Sequence, residues 1–160
     1  MLARRVPPSP PVKLPHHLIE AALDAVAEIF IERHFADKVI ERRFRATSQW
    51  GSRDRRLFAE TVYDLVRWWR WVWHLAGLPP EEYLEKEALS MDRLWLVWAA
   101  YWIEKGHELP RWPEVEDMNA DKHRRRSQRA VPAAVRQSIP DWLDQRGAAE
   151  LGDEWPGVMT

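Results

Sequence analysis

Residues 52–56 read Ser-Arg-Asp-Arg-Arg, directly after Gly51. A Gly-Ser pair before a charged, amphipathic run predicts the start of a helix, with Ser52 as its cap. A helix N-terminus offers unpaired N–H groups and the positive end of a dipole. Arg53, Arg55 and Arg56 add fixed charge there, and an Arg fork meets phosphate oxygens bidentately. Asp54 can orient one of these guanidinium groups. A structural account stands beside this one, with Asp54 paired to a neighbouring helix and Arg56–Glu60 as an i, i+4 pair. Further along, Arg67, Trp68, Arg70 and Trp71 interleave cations with indoles. That mixture suits an unpaired base stacked on an aromatic ring, with Arg on its phosphates. The other account of Trp68 and Trp71 is packing against a Pro-rich arm or another domain.

The formal charge of -1 conceals opposed blocks. Arg42, Arg43, Arg45, Arg53, Arg55 and Arg56 stand against a single acid, Asp54, within residues 42–56. Residues 122–136 hold six Lys or Arg, Arg124 and Arg125 among them, and no acid. Residues 80–118 reverse this with ten acids against four bases, and residues 137–160 carry five acids and one Arg. Basic blocks of this kind fit a polyanion partner, or else form solvated faces paired internally.

Several chemistries are excluded or weakened. The chain has no Cys, so it holds no disulfide, no Cys-ligated metal and no cysteine nucleophile. Its 6 Gly are scattered, which leaves no phosphate-cradling or dinucleotide loop. His16 and His17 are adjacent and hence on different helix faces, and the remaining His lie on separate segments, without metal-ligand spacing. Glu81 with Glu82, and Glu114 with Glu116 and Asp117, sit in polar loops as solubility or capping groups rather than as a general acid/base pair. No apolar run is long enough to span a membrane, and residues 1–15 lack the apolar stretch of a secretory signal. A cytoplasmic location is the default expectation.

The elements that must position these residues are all helical. With 160 residues and 46% apolar content, the chain suits one domain plus tails. Residues 1–15 form a Pro-rich arm. Leu18, Ala22, Val26, Ile29 and Phe30 recur at helical steps over 16–34. Asp37 is placed to cap a second helix through about Ala46. A long helix is predicted from Ser52 to about Ala76, ended by Gly77. Phe58, Val62, Leu65, Val66, Trp69, Trp73 and Ala76 form its core face, and Arg53, Arg56, Arg67 and Trp71 lie opposite, with Arg70 at the edge. Pro79 to Ala88 is acidic, with a turn or two of helix. Ser90 caps a nearly all-apolar helix to about Lys105. Shorter helices are expected from Asp121 to Arg129, from Pro132 to Ile139 and from Pro140 onward. The fold class is an all-α bundle of about five to seven helices. Trp69, Trp73, Trp95, Trp98 and Trp102 belong to its core.

The stretch 50–70, WGSRDRRLFAETVYDLVRWWR, resembles the RDR…F…E…VY…LR signature of the NusB-like N-terminal domain in RsmB/Sun-type rRNA 5-methylcytosine methyltransferases. ADKVIER, residues 36–42, and SIPDWLDQRGAAELGDEW, residues 138–155, match the same family in order and distance. Asp64 departs from the Gly that many relatives carry after the Tyr. The resemblance implies a NusB-like helical RNA-binding domain over 16–136, and over 137–160 the start of a segment leading to a methyltransferase domain absent from this chain. It implies rRNA as a partner, and contact with that domain in cis or trans. S-adenosylmethionine is the cofactor of the full-length family; no cofactor, and no activity, is expected of this chain alone. Arg53, Asp54 and Arg55 match the motif. Trp142, Leu143 and Trp155 are candidate docking residues. A protein-interaction module and a stand-alone NusB-type antitermination factor are the alternatives.

Overall fold

The computed structural model describes residues 13–159. Of the Pro-rich arm expected over 1–15, residues 1–12 lie outside the described residues. Helix α1, His16–Glu32, starts at Pro15, whose ring presets the backbone for a helix start. It buries Leu18, Ile19, Ala22, Leu23, Ala25, Val26 and Ile29, and stops at Arg33 in a left-handed conformation. Helix α2, Ala36–Ala46, has Phe35 rather than Asp37 at its cap position. Asp37 lies inside the first turn, where its charge favours the helix dipole. Phe35 is left largely exposed at this corner.

Helix α3, Ser52–Arg67, packs along α1 through Phe58, Thr61, Val62 and Leu65. Gly51 occupies the cap position and Ser52 is already helical, so the serine makes no capping bond. The helix expected to reach Ala76 is broken. Trp68 takes φ -105° and ψ 19°, and a separate helix α4, Trp69–Leu75, follows. Trp68 has no capping oxygen for the N–H groups of the new helix, which need partners. Ser138 supplies one from another part of the chain. Its Oγ accepts from the backbone N–H of Arg70 at 2.9 Å and lies 3.4 Å from that of Trp71. Ser138 itself is left-handed, with φ 56°.

Helix α4 ends at Gly77, which has φ +75°. The turn requires glycine, and a Cβ there would also stand 2.3 Å from Cζ of Arg126 and displace that guanidinium. That guanidinium donates to the Leu75 carbonyl at 3.0 Å, a cation on the negative end of α4. The acidic segment forms two 3-10 turns, Pro80–Glu82 and Lys86–Ala88. Helix α5, Met91–Glu104, is capped by Ser90 as predicted and buries eight residues between α1 and α4. Trp98 stacks on Trp102 and Trp112 with centroids 5.5 and 5.4 Å apart, and this aromatic column fills the far side of the core.

Four further helices complete the chain. They are α6, Ala120–Gln128, α7, Ala133–Arg136, α8, Asp141–Leu151, and α9, Trp155–Met159. Asn119 caps α6 by accepting from the N–H groups of Asp121 and Lys122. The described residues are all-α, with no strand, as the periodicity indicated. Trp69, Trp73, Trp95, Trp98 and Trp102 are all buried, as expected.

The cap that Ser138 places on α4 predicts that Ser138→Ala destabilises the fold by about 1 kcal/mol. Urea unfolding followed by circular dichroism measures this, and an unchanged midpoint would show that α4 does not depend on the cap.

Candidate nucleic-acid interface

The first basic block is largely paired. Glu28, on α1, accepts from Arg42, from Arg43 at 3.3 Å and from His34 at 3.1 Å. Arg45 pairs with Glu41 at 2.6 Å, and Arg56 with Glu60 at 2.8 Å. The Arg56–Glu60 pair is the i, i+4 arrangement that the spacing allowed. Arg55 donates to the Trp50 carbonyl at 3.2 Å and lies over the Phe44 ring. Arg53 has no ion pair or hydrogen bond from its side chain among the described residues, nor does Asp54. Both line a shallow cleft of about 290 Å³ with Lys13, Pro15 and Arg56 at the start of α3. Exposed ion pairs such as Arg45–Glu41 and Arg56–Glu60 contribute little to stability, so these cations can exchange partners cheaply.

The Arg and Trp side chains after α3 are rearranged by the break at Trp68. Trp71 and Arg70 were expected away from the core, and both turn inward. Trp71 is only 7% exposed, stacked on His74 beneath the Arg136 guanidinium, which lies 4.5 Å from its centroid. The Arg70 side chain is 13% exposed. It donates to the Ile139 carbonyl at 2.7 Å and pairs with Asp141 at 2.8 Å. The expectation extended one straight helix through residue 76, whereas the break resets the angular phase of every residue after it. Arg67 donates to the Gln137 carbonyl at 3.0 Å, and its guanidinium lies 4.2 Å over Trp68. Trp68 remains 37% exposed.

On α6, Arg124 is paired with Asp121 at 3.4 Å, and Arg125 is exposed, with no side-chain partner among the described residues. Of the docking candidates, Trp142 is 63% exposed and Leu143 is half-buried. Trp155 is engaged within the tail. Its Nε1 donates to Asp144 at 2.7 Å, and its ring covers Gly147, where a Cβ would approach to 2.3 Å.

A second cleft, of about 300 Å³, is lined by Asp64, Trp68, Trp71, Val72, Tyr101, Glu104, Lys105 and Arg136. Four helices meet there. Asp64 comes from α3, Trp71 and Val72 from α4, Tyr101 and Glu104 from α5, and Arg136 from α7. Tyr101 donates to Asp64 Oδ2 at 2.7 Å. Lys105 Nζ lies 3.3 Å from the same oxygen and 3.2 Å from the Tyr101 hydroxyl. Burial, then the hydrogen bond to Asp64 and its charge, holds the Tyr101 phenol far above its ordinary pKa, so it serves as a fixed donor. Tyr101, Glu104, Lys105 and Arg136 were not singled out from the sequence as site residues, and Asp64 drew notice only as a departure from the family's Gly. Only the four-residue step from Tyr101 to Lys105 was visible there, because Asp64 and Tyr101 stand 37 positions apart.

His123 of α6 is 5% exposed, with Nε2 3.3 Å from Glu104 Oε2 but without a hydrogen bond to it. Among the described residues, no group of three His, Asp or Glu side chains is close enough to hold a metal ion, and no helix is long and apolar enough to cross a membrane. Comparison with protein-family models, with curated proteins and with solved structures returns no match to the chain.

Burial lowers the His123 pKa below its ordinary 6.5, against the raising effects of Glu104 and of the Ala100 backbone, with Arg126 adding to the lowering. The unfolded chain therefore binds more protons below that value, and stability is lost as pH falls below about 6.5. Thermal unfolding from about pH 7 to pH 5 should show this decline, and His123→Leu should flatten it. An equal slope in the variant would assign the decline to other groups.

Proposed function

We propose that the chain is an RNA-binding and docking module serving an rRNA cytosine methyltransferase. In this reading S-adenosylmethionine and the reacting groups belong to a methyltransferase domain acting in cis or trans. The observation that carries it is the pairing of indole with guanidinium at one cleft: Arg67 over the partly exposed Trp68, and Arg136 over the buried Trp71 beside it. Indole rings and guanidinium planes are both stacking surfaces for unpaired bases, and the same guanidinium groups attract phosphate.

Charge supports the reading from a second direction. Among the described residues, Arg53 at the start of α3 and Arg125 on α6 have no side-chain partner to give up before meeting a phosphate. Arg45, Arg56 and Arg124 are held only by exposed pairs with Glu41, Glu60 and Asp121. Arg42 and Arg43 share Glu28 and are lesser contributors. The resemblance of residues 50–70 and 138–155 to the NusB-like domain of rRNA methyltransferases names the class of RNA and the chemistry that would follow. The clamp of Arg67 and Arg70 on residues 137–141 would hold a methyltransferase domain at a set angle to the RNA. The exposed Trp142 beyond the clamp gives that domain an aromatic surface to meet.

Titration with structured rRNA fragments at two salt concentrations tests the proposal. Affinity should fall as salt rises, because phosphate contacts release counterions. Trp68→Ala should cost about 1–3 kcal/mol of binding. Arg53→Ala with Arg125→Ala should weaken binding and reduce the salt dependence, with helical circular dichroism unchanged. Absence of binding at low salt, or binding indifferent to salt, would overturn the proposal.

A further inference from the structure

We infer that the cleft between α3, α4 and α5 receives one guanine base of an RNA strand, read on its Watson–Crick edge by Asp64; this rests on the RNA-binding reading above. The slot has apolar and aromatic walls, Trp68, Trp71, Val72 and Tyr101, as a flat ring requires. Its polar equipment is unusual for a site that meets RNA, because two carboxylates line it, Glu104, which lies 3.3 Å from His123, and Asp64. The Asp64 carboxylate is held in place. Asp64 Oδ2 takes the Tyr101 hydroxyl at 2.7 Å and stands 3.3 Å from Lys105 Nζ. Oδ1 has no partner among the described residues. An ionised carboxylate only accepts hydrogen bonds and has about four acceptor positions, so roughly two remain for a ligand.

An acceptor-only group selects a ligand with adjacent donors. Guanine presents N1–H and the 2-amino group side by side on its Watson–Crick edge. Adenine and cytosine each place one amino donor beside a ring nitrogen that accepts. Uracil places one donor between two carbonyl oxygens. Against Asp64 each of these three sets an acceptor near an acceptor, which is costly in a partly desolvated slot. A site built to satisfy paired donors discriminates strongly against ligands lacking one of them. A cationic side chain is a poorer occupant, since Lys105 already neutralises Asp64 and Arg136 already covers Trp71. The same two cations, with Arg67 beside Trp68, are placed to meet the phosphates on either side of the base.

Fluorescence anisotropy with labelled oligouridine of about eight nucleotides, carrying one central variable base, tests this at low salt. Guanine at that position should bind at least about tenfold more tightly than adenine, cytosine or uracil. Inosine, which lacks the 2-amino donor, and 2-aminopurine, which lacks N1–H, should each lose most of that advantage. Asp64→Asn should abolish the preference, so that the guanine oligonucleotide and oligouridine bind within about twofold of each other. If that variant loses its helical circular dichroism, the base analogues on the unaltered chain decide the matter. Equal affinity for all four bases, with RNA still bound, overturns the guanine assignment and leaves the RNA-binding reading standing. No binding to any oligonucleotide or to structured rRNA overturns both. Guanosine monophosphate binding as tightly as the guanine oligonucleotide would assign the cleft to a free nucleotide and overturn its assignment to an RNA strand.

Discussion

The break after Arg67 governs where the outer half of the molecule stands. A helix that starts at Trp69 has N–H groups with no partner inside the helix, and Trp68 offers no side-chain oxygen to them. The oxygen comes from Ser138, far along the chain and itself in a left-handed conformation. One hydroxyl therefore ties the 137–141 segment to α4. Arg70 and Arg67 complete the attachment through the carbonyls of Ile139 and Gln137. Once that segment is fixed, Arg136 is carried over Trp71, and the cleft acquires its fourth side.

Below this attachment lies a core that tolerates it. Six tryptophans of α4 and α5 are buried, and three have their indole N–H directed to loop carbonyls. Trp69 donates to Tyr83, Trp73 to Pro79 and Trp102 to Glu108. These bonds pin the acidic loops to the core without a strand or a disulfide. A large ring with one polar edge suits that task, since its body is buried while its N–H reaches a backbone carbonyl near the surface. The opposite end of α4 is closed by a cation. Arg126 caps the carbonyl end beside Gly77, so α6 is held against the same short helix that Ser138 caps at its start.

Asp64 links core and cleft. It belongs to α3 by sequence and faces α5 in space, where Tyr101 and Lys105 converge on one of its oxygens. A carboxylate so fixed can act as a recognition group, because its orientation is settled before any ligand arrives. The basic residues of α2, α3 and α6 are dispersed, and many are already paired with neighbouring acids.

The all-α class, the buried face of α1, the buried tryptophans and the Ser90 cap follow from the order of residues alone. They depend on periodicity and local capping, which act over a few positions. So does the i, i+4 pair of Arg56 and Glu60. The inward turn of Arg70 and Trp71 does not follow in this way. A helical wheel assumes one unbroken phase, whereas the phase changes at Trp68, where the hydroxyl of residue 138 meets the start of the new helix. The cleft was hidden for the same reason. Its members come from α3, α4, α5 and α7, and no spacing rule joins Asp64 to Tyr101 or Arg136. The basic blocks were plain as counts, yet which of their charges remain unspent depended on the acids that folding brought beside them. Local sequence determined the helices and most of the core. Tertiary contact alone decided where one helix stops, which rings stay exposed, and which carboxylate faces the open slot.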